Sequence, residues 1–305
     1  MTGRVRPTVG PMRSMLFVPG NKERWVEPAR ASGADGIVFD LEDAVPVAEI
    51  DTARAIVRKT IEQYGSESPR LLVRVGPPGT EAMVADLDAV VVPGIGGIMM
   101  PLVTSPDEVR DVDRRLDELE AARGIPVGST VIHPLIETAS AVRFAYEIAA
   151  ASDRVAFMGG GTSRQGDIGR SVGFRWTPEG TETMTMRCWA LLCVRAAGVP
   201  FPISGMWSIV DDLDGMRAFA EQTRTIGYTG VMVIHPSHVP VVNEVFTPSA
   251  REIAYWKETI RVMKAAQAQG VGAIRHEGEL LDEAHVKTAE LGLALAQRLG
   301  LSIDD

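Results

Sequence analysis

The chain is poor in cysteine: 305 residues hold two, Cys188 and Cys193. Five positions apart on one predicted helix, they point to different faces, which makes them poor disulfide or metal partners. They read as reduced structural residues of a cytoplasmic protein. Histidine is scarce as well, at five, and no His/Cys cluster of the kind zinc draws on is present. No run of about 18 apolar residues occurs, so no transmembrane helix is expected. The stretch from Met1 to Ser14 lacks the apolar core of a signal peptide and reads as a loose arm. Basic residues are outnumbered, 31 Lys and Arg against 40 Asp and Glu, for a net charge of −9. That balance argues against a nucleic-acid partner. It leaves room for a small acidic substrate, because a local Arg can outweigh a global surplus of acid. A dinucleotide fingerprint is also missing, since Gly159-Gly160-Gly161 lacks the G-x-G-x-x-G spacing.

What is present is rhythm. Hydrophobic content of 45% and charged content of 23% are ordinary globular values. Short apolar runs at Ser14 to Val18, Gly36 to Leu41, Leu71 to Val75, Gly97 to Val103, Thr130 to Ile136, Val155 to Met158, Phe201 to Met206 and Gly230 to Ile234 read as strands. Helical patterns lie between them, for example Val47 to Tyr64, Ser105 to Arg123 with Ser105 as N-cap, and Glu179 to Ala197. Eight strand–helix units predict an α/β fold, a (β/α)8 TIM barrel over residues 1–247. Residues 248–305 follow as a C-terminal helical extension, with helices at Ser249 to Gln269 and Asp282 to Leu299 and a Gly-punctuated segment between. The extension is expected to pack over the barrel or over a neighbouring subunit.

In such a barrel the functional side chains collect where strands end. Gly36 to Pro46, GIVFDLEDAVP, is a buried strand that delivers Asp40, Glu42 and Asp43 at its end. Glu137 closes the fifth strand and Asp167 follows the glycine-rich turn after the sixth. Two carboxylates with only oxygen donors nearby suit a hard cation such as Mg2+; read singly, Glu137 is equally a helix cap and Asp167 a solvated loop acid. Arg74, inside Val73-Arg74-Val75, is costly to bury unless paired. It either grips a substrate carboxylate bidentately or pairs with Glu42 or Asp43. His235 ends the eighth strand and reads foremost as a structural histidine satisfied by backbone.

Arg13-Ser14-Met15-Leu16-Phe17-Val18-Pro19-Gly20, Asp40-Leu41-Glu42-Asp43-Ala44-Val45, Val73-Arg74-Val75, Ile136-Glu137-Thr138 and Ile234-His235-Pro236 occur in this order. With them, the chain resembles the citrate lyase beta-subunit-like branch of the HpcH/HpaI aldolase family from Arg13 to Leu299. The resemblance implies a TIM barrel, a divalent metal (Mg2+ or Mn2+), and reversible carbon–carbon cleavage of a 3-hydroxyacyl-CoA such as citryl-, malyl- or citramalyl-CoA. By resemblance Glu137 and Asp167 are the metal ligands, the latter through Asp167-Ile168-Gly169-Arg170-Ser171-Val172-Gly173. Arg74 is similar to the arginine that holds the oxo-acid portion, and Glu42 and Asp43 bond metal-bound water. Gly278-Glu279-Leu280-Leu281-Asp282 looks like a segment that carries an aspartate into a neighbouring subunit's site. That makes Asp282 the acid/base candidate and implies a homo-oligomer, a trimer or hexamer; an N-cap for the last helix is the competing role.

The chain departs from the family where it has Ile50, Leu102 and Val231 in place of lysine, Gly76 in place of Asn, and His238 in place of Gln. Its loop between Phe157 and Asp167 is longer than the family's F-G-x-x-D. The missing lysines would contact the phosphates or carboxylates of a CoA thioester; Arg13, Lys22 and Arg24, near the first strand end, are the replacements expected. Two other readings stay open: a metal-dependent aldolase on free 2-oxo acids, and a non-catalytic barrel with a binding role.

Overall fold

The computed structural model describes residues 6–303. They form two compact units, with the division along the chain between Phe246 and Thr247.

The first unit is built on eight parallel strands: β1 (Ser14–Pro19), β2 (Gly36–Asp40), β3 (Arg70–Arg74), β4 (Gly97–Met100), β5 (Val131–Pro134), β6 (Phe157–Met158), β7 (Phe201–Ser204) and β8 (Gly230–Val233). Their hydrogen-bonded order is β5-β4-β3-β2-β1-β8-β7-β6. Parallel bridges from Ile132 to Val155 and from Leu135 to Gly159 bring β5 to β6 and nearly close the ring. The result is a TIM-barrel-like α/β fold with C-terminal helices following it.

Alternation along the strands sorts the core into two layers. Met15, Val38, Leu72, Met99, Val131, Phe157, Ile203 and Met232 form one cluster inside the ring. Leu16, Ile37, Phe39, Val73, Ile98, Ile132, Val231 and Val233 belong to the other, packed under the helices. Val231 therefore points into the helical layer, and a lysine there would not enter the barrel.

β6 is two residues long because Gly159, Gly160 and Gly161 follow it with φ of 153°, 148° and 57°. A Cβ on Gly159 would sit 1.7 Å from the Ile203 carbonyl oxygen, so only glycine lets the chain pass β7 this closely.

Three local expectations change. The arm is not loose where it is described: Val9 and Met12 are each 3% exposed and join the cluster inside the ring. Met1 to Val5 lie outside the described residues. The loop after β6 contains a short helix, Asp167–Val172. A helix at His238–Phe246 follows β8, unread in the sequence because Pro240 sits in its first turn, where proline is tolerated.

The second unit pairs the helix Ala250–Gln267 with the helix Glu283–Arg298. The Gly-punctuated segment between them is an antiparallel hairpin, β9 (Ala273–His276) and β10 (Glu279–Asp282). Its two-residue turn has φ of 48° at Glu277 and 92° at Gly278, the backbone that a tight hairpin demands. Met263, Leu281 and Val286 form its core.

Candidate active site

Strand β2 is buried throughout and ends at Asp40, in register with Arg74 at the end of β3. Arg74 grips Asp40 with two hydrogen bonds, Nε to Oδ1 at 2.8 Å and Nη2 to Oδ2 at 2.6 Å. Its third nitrogen, Nη1, lies 2.8 Å from Glu42 and 4.0 Å from Asp43. The Phe17 ring lies 5.3 Å from the guanidinium. Burial works against the Arg74 charge, but the hydrogen bonds and charge of Asp40 outweigh it, with help from Glu42 and Glu137, and hold the group protonated. Asp40 also accepts the backbone N–H groups of Glu42 and Ala44, at 3.0 and 3.2 Å. It thereby shapes the turn that carries the other two acids.

Glu42 is in close charge contact with Arg74, yet its Oε2 has no aligned hydrogen bond. Burial pushes its pKa up to about 8; Arg74 opposes this, while Asp43, Glu137 and Asp40 add to it. Glu137 is pushed up to about 7, again by burial first, with Arg74 and the Leu102 N–H opposing and Asp167 and Asp43 adding. The Leu102 N–H donates to Glu137 Oε2 at 3.3 Å from a residue at φ 50°. At this position, then, the backbone rather than a side chain serves the site. Asp167 opens its short helix and is paired with Arg170.

Except for Glu42, which sits behind Arg74 and does not line it, these acids and Arg74 border one cavity of about 1080 Å³ at the C-terminal ends of the strands. Asp40, Asp43, Arg74, Glu137, Asp167 and Arg170 supply its charge; Phe17, Pro19, Trp25, Pro28, Ala44, Met206, Ile234 and Pro236 supply much of its apolar wall. Ser163, Gln165 and His235 also line it. His235, a structural histidine by its sequence context, is held as such. Its Nδ1 accepts the Ser237 N–H at 3.3 Å and lies 2.7 Å from Ser237 Oγ. Trp25 carries no sequence signal; Phe17 lies within the first motif, and Ser163 and Gln165 lie in the long Gly159 to Gly166 loop that the sequence points to as shaping specificity, but only the structure shows that β1 and this loop border the same space.

Not every candidate converges. Arg13 precedes β1 and lies at the opposite end of the barrel, where it pairs with Asp35 (Nη2 to Oδ1, 2.7 Å). Its expected role near a CoA thioester does not fit that position. Lys22 and Arg24 belong to the turn after β1 but do not line the cavity. Ile50 opens the helix Ile50–Tyr64. Asp282, in the second unit, caps the helix Glu283–Arg298: it accepts the Ala284 N–H at 2.9 Å and contacts His285 at 2.8 Å. Those contacts, His285 first, hold its pKa below the usual range.

Among the described residues no three or more His, Cys, Asp and Glu side chains form a ready metal cage. Glu137 and Asp167 nevertheless fit a magnesium-like ion, which takes one or two carboxylates and fills its remaining positions with water or substrate oxygen. Glu137, whose ionisation is opposed by burial and by the neighbouring Asp167 carboxylate, is also the electrostatic setting a cation relieves. No helix among the described residues is long and apolar enough to cross a membrane.

Comparison with known proteins finds relatives that match nearly the whole chain. A (3S)-malyl-CoA thioesterase of Cereibacter sphaeroides is 33% identical over 95% of this chain and 96% of its own length. The citrate lyase subunit beta of Haemophilus influenzae is 31% identical over 93% and 97%. The protein CitE of Mycobacterium tuberculosis, solved with magnesium, acetoacetate and coenzyme A, superposes with a TM-score of 0.73 at 26% identity, covering 94% of this chain and 98% of its own. A citrate lyase from Burkholderia xenovorans, at 17% identity and a TM-score of 0.84, has the same fold. With residues 13–236 matching its signature, the chain belongs to the HpcH/HpaI aldolase/citrate lyase family.

Proposed function

We propose that the protein is a metal-dependent lyase that cleaves, or in reverse forms, the carbon–carbon bond of a 3-hydroxyacyl-CoA, giving an acyl-CoA and an oxo acid. Citryl-, malyl- and citramalyl-CoA are the substrate class. The observation that carries the reading is that Glu137, Asp167 and Arg74 border one cavity at the strand ends. Glu137 and Asp167 would hold Mg2+ or Mn2+, which when bound supplies positive charge where negative charge develops on substrate oxygen.

Arg74 supplies the fixed cation of the chain itself. Asp40 takes Nε and Nη2 along one edge of its guanidinium, so Nη1, beside Glu42, is the nitrogen that would meet a substrate carboxylate. Glu42, shifted to about 8, carries its proton through much of the neutral range and keeps negative charge off that carboxylate. Asp43 stands at the rim beside it. Asp282 of a neighbouring copy is proposed as the acid/base group, which requires a trimer or hexamer; sedimentation at micromolar concentration tests that assembly.

The test of the reaction is incubation with malyl-, citramalyl- and citryl-CoA, with and without EDTA, and with E137Q and D167N. Metal-dependent release of an oxo acid that both substitutions abolish is expected. Full activity in both variants would remove the metal assignment. A second reading, hydrolysis of the thioester, is favoured by the malyl-CoA thioesterase relatives. It would release free thiol and an intact hydroxy acid, which the same assay separates from oxo acid.

A further inference from the structure

The polar side chains lining the cavity fall into two sets. Most are engaged: Arg74 with Asp40 and Glu42, Arg170 with Asp167, Glu137 with the Leu102 N–H, His235 with Ser237. Ser163 and Gln165 are different. Both line the cavity from the loop after β6, and neither side chain has a hydrogen-bond partner among the described residues.

The loop that carries them is braced. Thr162 Oγ1 donates to the Met206 carbonyl at 3.3 Å, and the Arg164 N–H donates to Ser208 Oγ at 3.1 Å. Trp176 Nε1 donates to the Thr162 carbonyl at 3.1 Å, and the Arg164 guanidinium lies over the Trp176 ring at 5.8 Å. Trp176 in turn packs on Trp207, and Trp207 on Phe219. Thus Arg164 faces the brace while its neighbours Ser163 and Gln165 border the cavity. Gln165 is held at φ 61°, a conformation that costs a residue with a side chain energy and persists where surrounding contacts enforce it.

We infer that Gln165, assisted by Ser163, is a specificity-determining residue that pairs with a secondary amide in the arm of the substrate's thioester. This rests on the CoA reading above. A carboxamide offers a donor and an acceptor side by side, so it satisfies both the N–H and the C=O of an amide. Carboxylates and phosphates call for cations, and the cation that this segment does bring to the cavity, Arg170, is taken by Asp167. Oxo-acid binding belongs to Arg74 and the acid pair and is independent of Gln165.

The experiment is calorimetric titration of the wild-type chain, Q165A and Q165G with coenzyme A and, separately, with oxaloacetate plus Mg2+. Losing one neutral hydrogen-bonding partner should weaken coenzyme A about five- to tenfold while oxaloacetate stays within about twofold. Q165G should melt no lower than wild type, because glycine accepts the positive φ freely. Unchanged coenzyme A affinity in both variants, or a parallel loss for oxaloacetate, overturns the assignment alone. A wild-type chain that ignores coenzyme A overturns the CoA reading as well.

Discussion

Arg74 and Asp40 are joined by a two-pronged, nearly buried ion pair, at 2.8 and 2.6 Å with side-chain exposures of 13% and 3%. Asp40 is thus the residue that aims the arginine. Removing Asp40 leaves a largely buried arginine with Glu42 as its remaining close acid, so D40A should destabilise the protein by about 2–4 kcal/mol. Urea unfolding measures this. R74K keeps the charge but loses the fork, and kcat/KM should fall on the order of 100-fold. Near-wild-type turnover in R74K would remove Arg74 from substrate binding.

Glu137 and Glu42 make the metal-free protein sensitive to pH. Their carboxyls ionise near the ordinary 4.5 when unfolded but near 7 and 8 in the native state. Between those values the unfolded chain has released protons that the native chain retains, so stability falls as pH rises from about 4.5 to about 8. E137Q carries no such charge. Its melting temperature should match wild type near pH 4 and exceed it by about 2–5 °C near pH 8. Mg2+ should raise the wild-type melting temperature more at pH 8 than at pH 6, because binding must expel the Glu137 proton. An E137Q protein less stable than wild type at pH 8 would contradict this account.

A separate charge cluster serves the scaffold. Arg154 is fully buried, with Nε 2.6 Å from Asp113, Nη2 2.6 Å from Glu120, a further bond to Asp117, and Nη1 2.9 Å from the Thr130 carbonyl. It ties the start of β6 to the helix Pro106–Arg123. R154A should cost about 3–5 kcal/mol because Glu120, buried, would keep only the N–H groups of Gly128 and Thr130 and lose the cation that balances its charge. Activity per folded molecule should not change; a selective loss of turnover at full stability would show that the cluster acts on the cavity.

The two roles open to Asp282 separate cleanly. As an N-cap, Asn replaces Asp well and Ala does not. D282A should therefore lower the melting temperature by about 2–4 °C, while D282N stays close to wild type. If Asp282 also acts as acid/base in a neighbouring copy, D282N should lose turnover at unchanged stability. D282N with full turnover would confine Asp282 to its cap.

Sequence alone determined the barrel. Strand and helix periods are local, and eight apolar runs separated by helical patterns leave few ways to bury both faces of a parallel sheet. The same locality placed Asp40, Glu42, Asp43, Arg74, Glu137 and Asp167 at strand ends, hence at one end of the ring. Tertiary structure alone decided what each group touches. Arg74 takes Asp40 because β2 and β3 are in register, a fact that no spacing within either strand contains. Arg13, beside the first motif in sequence, falls at the far end because a strand separates its two ends in space. Ser163 and Gln165 carry no motif and border the cavity only because Trp176 and Ser208, distant along the chain, hold their loop there. Local pattern follows from backbone geometry, whereas partners and burial follow from which segments the closed barrel brings together.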